Sequence, residues 1–171
     1  MKQIDFRTDV LPLKDELFRL ALRITLNRAE AEDVVQETML KVWNRREQWA
    51  ELDSIEAFCL TICRNLALDK MKRMDNQSQT LDDSHDPSDL SYGANPEEQA
   101  MQQDRIQLIR RLIDQLPEKQ RVCMQLREFE GKSYKEIAQI MEISEDLVKV
   151  SIFRARQTLR QRYIKSEQYG L

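Results

Sequence analysis

The run SYKEIAQIMEISEDLVKVSIFRARQTLRQRY, from Ser133 to Tyr163, decides how this chain is read. Ser133 followed by Glu136 is a capping box, in which each side chain satisfies an orphan amide of a new helix. Ile137, Ala138 and Met141 then recur at helical spacing, the pattern breaks at Glu142-Ile143, and Ser144 is placed to cap a second helix. In that second helix Val148, Ile152, Ala155 and Leu159 form one buried stripe. Two short helices joined by a tight turn, the second basic towards its end, have the pattern of a helix-turn-helix. The small Ala138 lets the helices approach, and Ile143 plugs the corner between them. An ordinary helical hairpin in an all-α core has the same stripe. Glu142 also stands where such a turn favours Gly, and a non-Gly residue in the left-handed conformation costs roughly 1 kcal/mol. Charge favours the DNA-binding reading: Lys149, Arg154, Arg156, Arg160 and Arg162 crowd the second helix, opposed only by Glu145 and Asp146 near its start.

Outward from this stretch, the charge of the 171-residue chain is divided. The net value of −3 conceals a neutral segment 1–73, an acidic segment 74–104 at −8 and a basic segment 105–171 at +5. The Ser, Asp, Asn and Pro of MDNQSQTLDDSHDPSDLSYGANPEE suit a flexible acidic linker over 74–95 between domains at 1–73 and 96–171. Low Gly and Pro with high charge predict an all-α chain of two small helical domains. No apolar run approaches a membrane span and Met1 to Val10 lacks a signal-peptide core, so the expected address is the cytoplasm, without direct membrane binding. Cys59 and Cys63 lie one helical turn apart and Cys123 is distant; the only histidine, His85, sits in the polar linker. That pattern favours buried reduced thiols over a metal site, and no cofactor is expected.

The first domain has three main helices. One, after Pro12, buries Leu17, Leu20, Ala21 and Ile24. A second, about 29–45, buries Ala31, Val35, Met39 and Val42. A third, after Ser54, buries Ile55, Phe58, Cys59, Ile62 and Leu66 and ends in Lys70, Lys72 and Arg73. Glu30, Asp33 and Glu37 share a face of the second helix; the helix dipole accounts for Glu30 but not for Glu37, two turns in. Trp49, in a polar loop, is either a lid on the core or a stacking platform. The second domain begins with a helix over about 96–115, with Met101, Leu108, Leu112 and Ile113 apolar. Leu116-Pro117 opens a helix burying Val122, Cys123 and Leu126, and Gly131 ends it.

The runs AEDVVQETMLKVW (Ala31 to Trp43), EAFCLTICRNLALDKMKR (Glu56 to Arg73), LPEKQRVCMQLREFEGKSYKEIAQIMEIS (Leu116 to Ser144) and VKVSIFRARQTLR (Val148 to Arg160) resemble regions 2 and 4 of the extracytoplasmic-function group of bacterial sigma-70 factors. The resemblance implies a non-enzymatic factor that binds core RNA polymerase and directs it to promoters. It puts Asp33, Gln36 and Glu37 on the clamp helices of the largest polymerase subunit. The loop of Trp49 and the start of the third helix would capture an unstacked −10 base, and Arg64, Asn65, Asp69, Lys72 and Arg73 would hold the non-template strand. The acidic linker would thread towards the RNA channel. The helix from Ser144, with Glu145, Asp146, Lys149, Val150, Phe153, Arg154, Arg156 and Arg160, would lie in the major groove at the −35 element. The pattern departs from the family at Val150-Ser151, where Ser-Arg is usual, and at Phe153, where histidine is frequent. Val150 and Phe153 therefore either touch thymine methyls or pack on an inhibitory anti-sigma protein, a partner the resemblance implies, free or membrane-anchored. Two rival readings are a stand-alone helix-turn-helix regulator and an all-α phosphohydrolase holding Mg²⁺ through Asp33, Glu37 and Asp69.

Overall fold

A computed structural model describes residues 3–77 and 96–169, with the side chains of 77, 96–102 and 169 left out. Seven main helices follow in order: α1 Lys14–Thr25, α2 Arg28–Asn44, α3 Ile55–Gln77, α4 Pro96–Asp114, α5 Glu118–Met124, α6 Tyr134–Met141 and α7 Glu145–Tyr169. Residues 74–77, expected at the start of the linker, instead continue α3; the rest of the expected linker and the Met101 side chain fall outside what is described.

Local chemistry sets the ends of these helices. The Asn27 side chain accepts from the amide of Glu30 at 3.1 Å, Ser54 from Ala57 at 3.1 Å, Ser133 from Glu136 at 3.1 Å and Ser144 from Leu147 at 3.1 Å. Leu26 and Glu142 close α1 and α6 in the left-handed conformation, with φ of 56° and 57°. In each case the cap amide bonds back to the last turn, to Leu22 and Ala138 respectively. Gly131, at φ +67°, turns the chain from α5 and its wider final turn, Gln125–Phe129, into α6. Because Glu142 bears a Cβ in a conformation glycine adopts without strain, Glu142→Gly should raise stability by about 1 kcal/mol, read as an increase in denaturant midpoint at unchanged slope. A lower midpoint would show that the side chain contributes more than its backbone strain costs.

α1, α2 and α3 pack on one another, α4 and α5 pack on α7, and α6 packs on both α7 and α3. The expected stripe of α7 is buried at Val148, Ile152 and Ala155, with Leu159 partly so. On α2 the buried set is Ala31, Val34, Val35, Thr38 and Val42; Met39 is only half-covered. α3 differs more from the one-sided pattern expected of it. Besides Cys59, Ile62 and Leu66 it buries Ala57, Leu60, Cys63 and Ala67, because α1 and α2 cover one side and α6 another. Ahead of α1, Asp5 caps a wide turn at Phe6–Val10 that sequence reasoning did not identify, and this turn seats Val10 in the core.

The two halves share one apolar core, which runs from Val10, Leu17 and Leu20 through α3 to Cys123, Leu126, Ile137 and Ile152. Around it lies a ring of polar ties. Arg19 makes a two-pronged bond to Glu130 at 2.6 and 2.8 Å. Arg23 donates to Asp114 at 2.9 Å and to Gln125 at 2.8 Å. Lys132 pairs with Glu16 at 3.0 Å and also with Glu56. Arg121, 8% exposed, donates to the Asp114 carbonyl at 3.0 Å and to that of Ile24 at 3.4 Å.

All three cysteines are free thiols in this core. Burial pushes the thiols of Cys59 and Cys63 up to about 12 and that of Cys123 to about 11. The thiolate, the reactive form, is therefore scarce at neutral pH. The folded chain should leave all three unmodified by a thiol reagent at pH 8, with three equivalents reacting after denaturation. Rapid labelling of the native protein would contradict this burial.

Candidate nucleic-acid and protein interfaces

Because Val148, Ile152 and Ala155 face inward, α7 turns the rest of its first turns to solvent. Glu145, Asp146, Lys149, Arg154, Arg156 and Arg160 are exposed, Val150 is 40% exposed and Phe153 is 65% exposed, whereas Ser151 is buried. Arg156 does not stand alone. Its Nε donates to Glu128 at 2.8 Å, and that hydrogen bond raises the guanidinium pKa. Lys149 lies 5.7 Å above the Tyr134 ring, and Arg127 lies 4.4 Å from the same ring. Arg127, Lys149 and Arg156 thus gather round Tyr134 where the chain enters the motif. Sequence reasoning overlooked Arg127 and Tyr134, which lie before the recognition helix and become its neighbours only through the turn at Gly131.

On α2, Asp33, Gln36 and Glu37 are all exposed, as expected of a docking face. The Lys70 ammonium reaches back from α3 to lie 3.3 Å from Glu30, 3.4 Å from Asp33 and 3.8 Å from Glu37. Burial alone would pull its pKa down, but the bonds to Glu30 and Asp33 outweigh this and raise it. A lysine therefore occupies the centre of the acidic group from which the phosphohydrolase reading started. Leu40 and Trp43, 63% and 44% exposed, continue the same face at i+4 and i+7 from Gln36. With Phe6 and Met39 they line a shallow apolar recess. The signal was legible, since neither residue fits the buried stripe of α2.

Of the two readings of Trp49, the structure takes the lid. It is 7% exposed, its indole Nε1 donates to the Val42 carbonyl at 3.1 Å, and it packs on Phe6 and Trp43. Its faces are covered, so it offers no stacking platform in this conformation; the exposed indole nearby is Trp43, with the Arg46 guanidinium 4.7 Å from its ring. Asp69, Lys72 and Arg73 are exposed together near the end of α3. Arg64 and Asn65 are half-buried, with Arg64 donating to Asn65 at 3.1 Å. The Arg64 Nε is buried without a hydrogen-bond partner among the described residues, and its charge is felt by the Cys123 thiol of α5.

An exposed acidic-and-apolar helix face on one helical bundle, together with a basic helix-turn-helix on a second, is the arrangement of a two-part DNA-binding factor. Residues 10–77 match sigma-70 region 2, and residues 106–159 match sigma-70 region 4. The ECF RNA polymerase sigma factor SigL of Mycobacterium tuberculosis is 33% identical over 145 residues, covering 84% of this chain and 80% of that protein. The RNA polymerase sigma-H factor of Pseudomonas aeruginosa is 30% identical over 161 residues, covering 88% and 81%. Among solved structures, the sigma factor RpoE in complex with the anti-sigma factor NepR from Bartonella quintana superposes with a TM-score of 0.73 at 24% identity, over 92% of this chain and 95% of that one. CnrH in complex with the cytosolic domain of CnrY superposes at 0.67 with 18% identity, over 94% and 88%. The chain belongs to the sigma-70 family, in its extracytoplasmic-function group. It is a promoter-directing sigma factor, and neither the stand-alone regulator nor the phosphohydrolase is favoured.

Proposed function

We propose that the two halves divide initiation between them. The α2 face of Asp33, Gln36, Glu37, Leu40 and Trp43 docks on the polymerase clamp. The exposed end of α3, with Asp69, Lys72 and Arg73 and with Arg64 and Asn65 behind them, holds the non-template strand at −10. The start of α7 reads the −35 element. The observation that carries this reading is the outward side of α7: two apolar side chains and a row of cations leave a helix whose opposite stripe is buried. An apolar pair near a helix start suits thymine methyls, and the cations beyond it suit phosphates. The chain performs no covalent step; the chemistry belongs to the polymerase. No helix among the described residues is long and apolar enough to cross a membrane. The proposed place of action is the cytoplasm, where the polymerase works. An anti-sigma protein is the proposed inhibitory partner, the relatives RpoE and CnrH being bound in their structures to NepR and CnrY.

Run-off transcription with purified core polymerase tests the reading directly. Initiation at defined promoters only when the chain is added is the expected result, and no gain over core enzyme alone would overturn it. Within this scheme, Asn65→Ala should slow open-complex formation more than it weakens polymerase binding, since its proposed partner is unpaired DNA. Rescue of part of the defect on a pre-melted template is expected, and equal defects on duplex and pre-melted templates would remove Asn65 from the −10 contacts.

A further inference from the structure

The run DKMKR near the end of α3, Asp69 to Arg73, does not face one way. Asp69, Lys72 and Arg73 are exposed, whereas the Lys70 side chain is only 17% exposed. Helical spacing explains the difference. Lys70 follows Ala67, Leu66 and Cys63 by three, four and seven residues, and all three are buried, so it extends the packed side of α3 towards α2. Its stem is covered there, and its ammonium emerges among the carboxylates of Glu30, Asp33 and Glu37, at 3.3, 3.4 and 3.8 Å. One cation thereby stands between the two surfaces that the proposed function uses, the docking face of α2 and the strand-holding end of α3.

This contact is open to exchange. A single ammonium faces three carboxylates, so the face keeps an acidic surplus that attracts further cations. The side chains of Asp33 and Glu37 are 60% and 51% exposed, and pairs so open to water are weak. A polymerase cation that settles on the same acids repels Lys70 and takes over its acceptors. The released side chain has a flexible four-carbon stem carrying a compact charge. Arg73 lies one helical turn further on, at i+3, so a phosphate held at Arg73 is within reach of Lys70 once the acids let it go.

We propose that Lys70 is a shared counter-ion, which passes from the acids of α2 to the backbone of the unpaired −10 strand when polymerase docks, so that each binding event strengthens the other. The proposal rests on the reading that puts polymerase docking on α2 and strand contacts on α3. In the free chain Lys70 partly neutralises the docking face and is withheld from DNA. In the holoenzyme the polymerase supplies the opposing charge, and Lys70 joins Lys72 and Arg73 on phosphate. Binding free energies are reciprocal, so the factor by which polymerase tightens strand binding is also the factor by which the strand tightens polymerase binding. Lys70 is thus a positioning residue for the acids in the free chain and a direct strand contact in the holoenzyme.

Three affinities of the whole chain test this. They are the free chain for a short fluorescent single-stranded deoxyoligonucleotide, the chain for core polymerase, and the holoenzyme for a pre-melted promoter template at several salt concentrations. Lys70→Gln should leave the first unchanged. It should tighten core binding by up to about five-fold, the scale of one exposed ion pair that no longer has to be displaced. It should weaken holoenzyme binding to the pre-melted template and flatten the salt dependence by about 0.7 log units, the value of one single-strand phosphate. Lys70→Arg keeps the charge and should restore the slope. Lys70→Met keeps the apolar stem and repeats the measurement if the Gln variant loses helicity. Equal losses of strand affinity in the free chain and the holoenzyme would overturn the transfer. Core binding that is unchanged or weaker, or an unchanged salt slope, would do the same. Two controls separate this from the underlying reading: Asp33→Lys with Glu37→Lys for docking, and Lys72→Gln with Arg73→Gln for the strand. If both controls lose affinity and Lys70→Gln changes nothing, the transfer falls and the reading stands; controls at wild-type affinity remove the reading and the proposal with it.

Discussion

The chain carrying Asp33→Lys and Glu37→Lys should no longer bind core RNA polymerase, with affinity reduced by about 30-fold or more, the lower end of what truncating a charged contact in an interface costs. The expectation follows from the face itself. Asp33 and Glu37 are the exposed members of an acidic group whose third member, Glu30, is more covered. Reversal removes two acceptors and also sets two new ammonium groups around Lys70, which then retains Glu30 as its only acidic neighbour of the three. A cationic partner would meet repulsion in place of attraction. The fold should survive, because each broken pair is at least partly exposed and such pairs stabilise by at most about 1 kcal/mol. Circular dichroism and a pull-down with core enzyme check the two halves of the statement, with the double reversal Glu47→Lys and Glu51→Lys, outside this face, as the charge-matched control. Leu40→Ala should weaken binding as well without loss of stability, since Leu40 is an exposed apolar side chain beside the acids, the arrangement of a binding anchor within a polar rim. Wild-type affinity in the folded double variant would remove α2 from the polymerase contact and transfer the search to the other exposed surfaces of this half.

What was legible in the sequence and what was not divide along a physical line. Helices covered on one side were legible: the stripe Val148, Ile152 and Ala155 emerged from period alone, and the caps at Ser133 and Ser144 from residue type at the helix starts. The strained cap at Glu142 was legible too, because the turn demands a conformation whatever residue supplies it. α3 was legible only on one side. Its burial of Leu60, Cys63 and Ala67 depends on a neighbour from the other half, and a helix covered from two directions loses the contrast that period analysis uses. Charged residues were the least legible. Arg19, Arg23 and Lys132 have the appearance of ordinary surface cations in sequence, yet they tie the halves together; Lys70 was grouped with a basic run and instead folds back on the acids of α2. Trp49 was open between two readings because both need an indole in a polar loop, and only the bond to Val42 separates them.

In the recognition helix, affinity and reading should be separable by mutation. Arg154 and Arg160 are exposed and nearly two turns apart, as phosphate clamps along a groove would be. Neutralising both to Gln should weaken −35 binding about equally for all sequences and flatten the salt dependence by about 0.9 log units for each phosphate no longer neutralised. Arg156→Gln should do less, because Glu128 already shares its charge; Glu128→Gln should accordingly tighten binding to every sequence alike. Phe153 and Val150 lie nearer the helix start, where a docked helix reaches base edges, and they are apolar side chains exposed to solvent. Phe153→Ala or Val150→Ala should cost about 1–3 kcal/mol against the preferred base and little against the others. The measurement is holoenzyme selection on a library of randomised −35 elements, repeated at two salt concentrations. Uniform weakening by the arginine variants with an unchanged preferred sequence, and a changed preference in the Phe153 variant, is the expected pair of results. If the arginine variants alter the preferred sequence and Phe153→Ala does not, the roles are exchanged. If Phe153→Ala matters only when an anti-sigma protein is added, the exposed ring belongs to the inhibitory interface instead. DNA reading would then rest on Lys149 and Val150, with Glu145 and Asp146, the other exposed side chains near the start of α7.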